Sequence, residues 1–137
     1  MRLYAAPGDL VPDWLDEAPP NAARLIRAAS VKVEHATRMA RYAVDADGLP
    51  TEPAVKGAMR DAVCHQVAVW ATAELDPNAG TAGQNLYVQS QTVDGGSVTF
   101  GGHVSVEERT AAATQLDGAT LAILSNAGLL TADVTLL

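Results

Sequence analysis

Two amphipathic segments, joined by a connector that cannot itself be helical, constrain this chain most. The first begins after Pro19-Pro20, a firm stop for anything upstream. Asn21 follows as a candidate N-cap, since its side chain can accept a hydrogen bond from an orphan amide. Ala22, Leu25, Ile26, Ala29, Val33, Ala36 and Ala40 then recur at helical spacing, and Arg24, Arg27, Lys32, Glu34 and Arg38 fall mostly off that stripe. The pattern predicts a helix over about 21–41 that buries one face. Asp45-Ala-Asp-Gly48 is turn chemistry, and Leu49-Pro50 forces extended backbone. Thr51 is a second N-cap candidate, with Pro53 in the first turn, where its missing amide costs nothing. Val55, Met59, Ala62, Val63, Gln66, Val69, Trp70 and Ala73 predict a second helix over about 53–76, ended by Pro77. The two helices should lie antiparallel.

Beyond Pro77 the pattern changes. Asn78 to Gln84 reads as a glycine-containing loop. Leu86 to Val93 is rich in β-formers, Gly95-Gly96 is hairpin punctuation, and Ser97 to Phe100 returns, so a hairpin is predicted over about 86–100. A lone hairpin is marginal in water and would need to pack or to pair with a neighbour's edge. Tyr87, Val88, Val98 and Phe100 are the residues expected to make such subunit contacts. Ser105-Val-Glu-Glu108 is a capping box opening a helix over about 106–116. Asp117-Gly118 interrupts it, a last helix covers about 119–127, and Asn126-Ala-Gly128 supplies a stop with a glycine able to take positive φ. The tail Leu129 to Leu137 is short and apolar, which is costly unless it docks.

The 137 residues are read as one domain, 1–137, of mainly α class: a small helical bundle with a β-hairpin insertion and an extended C-terminal tail. Hydrophobic content is 48% but leans on alanine, and aromatics are 4%, so the core should be closely packed helices with few large side chains. Sixteen acids against nine bases give a net charge of −7, which argues against gripping nucleic acid by its phosphates. Cys64 is the single cysteine, which excludes an internal disulfide and fits a reducing compartment. No signal peptide is evident at the N-terminus, and no stretch approaches the ~20 apolar residues of a membrane span.

Catalytic and metal chemistry find little footing. Cys64 and His65 are adjacent, and neighbouring helical residues point about 100° apart, so they do not form a nucleophile and base. His35, His65 and His103 are widely separated, and no H-x-x-x-H or C-x-x-C spacing exists. Asp45-Ala-Asp-Gly48 opens like a calcium loop but lacks the later ligands. The Gly95-Gly96 and Gly101-Gly102 pairs lack the lysine of a phosphate loop. Asp61, Glu74 and Asp76 read as solvated helix surface. Trp14 and Trp70 read as core or subunit contacts. No catalytic residue, cofactor or metal is expected.

Taken together, Tyr4-Ala-Ala-Pro-Gly-Asp-Leu, Asn21-Ala-Ala-Arg-Leu-Ile, Asp47-Gly-Leu-Pro-Thr-Glu-Pro-Ala-Val, Met59-Arg-Asp-Ala-Val-Cys-His-Gln-Val-Ala-Val-Trp and Leu121-Ala-Ile-Leu-Ser-Asn-Ala-Gly-Leu-Leu stand in an order that resembles the head-to-tail adaptor (connector) proteins of tailed bacteriophages, in particular those of actinobacterial hosts. The resemblance implies a structural virion protein of the neck, made in the host cytoplasm. It would be a homo-oligomeric ring, usually a dodecamer, under the portal protein, with a stopper or tail-completion protein below. DNA would pass its channel without specific binding. The resemblance also implies that the C-terminal segment docks on the portal, and Leu129, Leu130, Val134, Leu136 and Leu137 are the residues expected to do so. The glycine-containing loop and Asp117-Gly118 depart from the family pattern. Two other readings are another neck component, such as a stopper or tail-completion protein, and a small cytoplasmic helical regulatory protein.

Overall fold

The computed structural model describes residues 2–77 and 106–130. The predicted hairpin with Tyr87, Val88, Val98 and Phe100, the cap Ser105, and the tail residues Val134, Leu136 and Leu137 lie outside these residues. Within them the protein is mainly helical. A 3-10 turn at Pro7–Leu10 precedes α1 (Ala22–Ala36), α2 (Pro53–Thr72), α3 (Val106–Thr114) and α4 (Gly118–Asn126). Among the described residues no strand forms. The only sheet-like pairing there is an antiparallel bridge between Val44 and Pro50.

The core is organised around α2. Eight of its residues are buried: Val55, Met59, Ala62, Val63, Cys64, Gln66, Val67 and Trp70. From Ala62 to Trp70 buried positions occur on every side, as expected for a helix with neighbours all round. α1 covers one flank with Leu25, Ile26, Ala29 and Val33, and α4 covers another with Leu124. Each fully buried Leu, Ile, Val or Met contributes roughly 1.5–3 kcal/mol. Arg24 near the start of α1 meets Asp76 beyond the end of α2, at 3.6 Å, so the two helices run antiparallel as the sequence implied. The N-terminal segment is tied to α1 through the Tyr4 amide, which donates to the buried Ser30 hydroxyl at 3.3 Å. Burial, with Tyr42 nearby, pushes the Tyr4 phenol above its usual range.

Several helix ends depart from the sequence expectation. α1 stops at Ala36, not near Arg41. The Thr37 amide and hydroxyl both donate to the Val33 carbonyl, at 3.0 and 2.9 Å, which satisfies the terminal acceptor and turns the chain away. Asn21 holds the N-cap position of α1 as expected, but its side chain makes no cap bond. Thr51 is not the N-cap of α2. Glu52 holds that position, while the Thr51 amide donates to Ala43 O at 3.0 Å and closes the connector. α2 ends at Thr72, before Pro77 is reached. Glu74 takes a left-handed conformation (φ 56°), the Leu75 amide donates to Trp70 O at 2.8 Å, and Leu75 is buried. This is a Schellman closure on a non-glycine residue. α4 closes the same way, this time on the glycine the sequence marked: Gly128 has φ 76°, the Leu129 amide donates to Leu124 O at 3.0 Å, and Leu129 is buried.

Candidate functional site

Asp45-Ala-Asp-Gly48 is a plain turn. Asp45 Oδ1 accepts from the amides of Asp47 (2.8 Å) and Leu49 (3.0 Å), which closes the turn. Gly48 sits at φ 81°, and a Cβ there would run into the Arg2 guanidinium. Among the described residues no group of three His, Cys, Asp or Glu side chains is placed to hold a metal. None of the described helices is long and apolar enough to cross a membrane.

Cys64 and His65 do point apart. The Cys64 thiol is buried, lies 3.8 Å from the Asp9 carbonyl, and is pushed up to about 11, chiefly by burial. A protonated, buried thiol is a poor nucleophile. His65 faces the other way. Its Nδ1 lies 2.8 Å from the Thr120 hydroxyl and 4.0 Å from the Asp117 carboxylate, with Trp14 edge-on at 6.0 Å. A hydroxyl, an imidazole and a carboxylate thus meet, but hydroxyl and carboxylate address the same ring nitrogen. In a proton relay the imidazole must bridge them through its two different nitrogens. Thr120 is also fully buried. The cluster joins α2 to α4: the Asp117 amide donates to Gln66 Oε1 at 2.7 Å, and the Asp117 carboxylate caps α4 at the Ala119 amide, 3.0 Å away.

Trp70 is fully buried and its indole N–H donates to the Ala112 carbonyl of α3 at 2.9 Å, so it is a core residue. Trp14 is half-buried against His65. Asp61 and Asp76 stand beside Arg60 and Arg24 on the surface. Leu129 is inside the core at 3% exposure, and Leu130 packs partly buried against that core.

Of the five large hydrophobic side chains exposed among the described residues, four belong to the N-terminal segment, the second half of α1 and the connector: Leu3 (45%), Val31 (48%), Met39 (67%) and Val44 (51%). An open groove of about 930 Å³ runs there, lined by Arg2, Leu3, Val31, His35, Arg38 and Leu49. Glu34 and Asp47 complete its rim and balance the two arginines. Glu34 is bound to Arg2 at 2.9 Å. The fifth exposed hydrophobe, Leu121, is on α4. Helical spacing reveals which residues turn outward on α1, but the groove itself requires the N-terminal segment and the connector to converge on that helix. Comparison with protein-family models, with curated proteins and with solved structures finds no match.

Proposed function

We propose that this chain is an adaptor subunit of the tailed-phage neck, assembling as a ring between the portal and a stopper or tail-completion protein. The observation that carries the reading is the exposure of Leu3, Val31, Met39 and Val44, with Leu3 and Val31 sharing one open groove, while the described core gathers around α2. Grouped exposed apolar side chains mark a surface for another protein. The open, charge-balanced groove beside them does not enclose a small ligand.

The remaining support is the ordered resemblance of the five segments and the charge. A net charge of −7 suits a channel wall that DNA slides past without sticking. In this reading Leu130 and the residues after it, including Val134, Leu136 and Leu137, dock on the portal, while Leu129 holds the root of that arm in the core. The test is co-sedimentation of the purified chain with the portal ring of the same phage, followed by particle imaging. A second ring stacked on the portal is the expected result, and deleting residues 131–137 should weaken it. Absence of binding together with a stable dimer would move the weight to a cytoplasmic regulatory role.

A further inference from the structure

Positive charge is gathered on one part of the molecule. Residues 24–41 carry five of the nine Lys and Arg and a single acid, a net +4, which leaves −11 for the rest of a chain whose total is −7. Arg24, Arg27, Val31 and His35 are exposed and recur at spacings of three and four, so they share the outward face of α1. Arg38 is exposed just beyond the end of that helix and lines the groove together with Val31 and His35. Two acids of this region are already committed, Glu34 to Arg2 at 2.9 Å and Asp76 to Arg24 at 3.6 Å. Arg27, Lys32, Arg38 and Arg41 are in no ion pair among the described residues. Arg38 donates to the His35 carbonyl at 2.8 Å, a neutral acceptor that does not offset its charge. Of the two rim acids, Asp47 alone is in no ion pair, against Arg38 on the same rim and Arg27, Lys32 and Arg41 beyond it.

We propose that the outward face of α1 is a docking surface for an acidic protein segment bearing apolar side chains. Its carboxylates meet Arg27, Lys32 and Arg38, and its apolar residues enter between Leu3, Val31 and Leu49. This rests on the reading of the surface as a protein contact, and it names the chemistry of what is contacted. Charge selects the sign of the occupant. An acidic segment is drawn to the unpaired bases of α1 and repelled by the −11 carried elsewhere. The interleaved hydrophobes select its class. Leu3, Val31 and Met39 are exposed among the bases, and an apolar centre within a charged rim is the anatomy of a protein contact. A phosphate backbone gains nothing from apolar surface, and a long duplex would carry its charge across the acidic remainder of the molecule. The described aromatics, Tyr4, Trp14, Tyr42 and Trp70, are buried or half-buried, so none stands out to stack on a base. A second copy brings −7 of its own and is repelled as a whole. The bases are solvent-exposed, so binding is modest and sensitive to salt.

Fluorescence anisotropy of the full chain with a short labelled peptide of glutamate and leucine at helical spacing tests this. The controls are a glutamate–serine peptide, a lysine–leucine peptide and a DNA duplex. The glutamate–leucine peptide should bind more tightly than all three and should weaken at high salt. Arg27→Glu/Arg38→Glu should weaken it by about tenfold, Val31→Ser should weaken it less, and Arg27→Lys/Arg38→Lys should bind like the wild type. All three positions are exposed, and circular dichroism melting checks that each variant stays folded. No binding by the wild type, undiminished binding by the folded charge-reversed variant, or tighter binding of the duplex overturns the proposal. Sedimentation velocity of the chain alone covers the remaining occupant: self-association that the charge reversal abolishes would give this face to a second copy and overturn the proposal as well. Portal binding is read separately. Peptide binding without portal binding removes the adaptor reading alone, and portal binding without peptide binding removes this inference alone.

Discussion

The amide of Asp117 donates to the side-chain oxygen of Gln66 across 51 positions of sequence, at 2.7 Å. That bond fixes the point where the chain passes from α3 to α4. It also explains a glutamine in the middle of an apolar stripe. The Gln66 oxygen is satisfied, while its buried Nε2 has no partner among the described residues.

Gln66→Ala should lower unfolding free energy by about 2–4 kcal/mol, combining a cavity with a stranded amide. Urea denaturation followed by far-UV circular dichroism reads it. A loss below about 0.5 kcal/mol would show that α4 is held without this bond.

Gly128→Ala should cost about 1 kcal/mol, since open space surrounds the position and only the left-handed backbone opposes a Cβ. The same denaturation experiment measures it. An unchanged midpoint would mean that the α4 closure does not depend on glycine.

Cys64 makes stability fall at alkaline pH. Its folded pKa is raised to about 11 from an ordinary 9.0 by burial, so between those values the unfolded chain has lost a proton that the folded chain retains. The stabilising effect is whole below pH 9 and declines as pH rises to 11. Cys64→Ala should flatten that decline relative to wild type. In the native protein at pH 8 the thiol should react with a disulfide reagent far more slowly than after denaturation, and equal rates would refute burial.

Trp70→Phe keeps most of the apolar volume but removes the donor to Ala112 O. The expected loss is about 1–2 kcal/mol, with faster amide exchange in α3 than in α1. Uniform acceleration across all helices would mean that the bond is not specific to α3 docking.

These cases separate what local pattern reveals from what it hides. α1, α2 and α4 begin within a residue or two of where periodicity and turn chemistry place them, because their starts follow Pro19-Pro20, Leu49-Pro50 and Asp117. Gly128 was legible because its backbone role follows from residue type. The ends of α1 and α2 were not. Thr37 stops α1 through a hydroxyl bond to its own helix, and Glu74 stops α2 in a conformation its residue type does not advertise. The His65–Thr120 and Gln66–Asp117 links join residues more than fifty positions apart, and no spacing rule reaches that far. The outward face of α1 was readable, whereas the groove depends on Leu3 and Leu49 arriving beside it.

α1 and α4 rest chiefly on α2, which is covered along most of its length. One helix therefore works as the axle of the molecule. Val63, Val67 and Trp70 of α2 share one buried cluster with Leu25, Ile26 and Val33 of α1 and Leu124 of α4. Conservative swaps along this axle would be felt at both outer surfaces together, so the two flanks should tolerate change independently only where substitutions leave α2 alone.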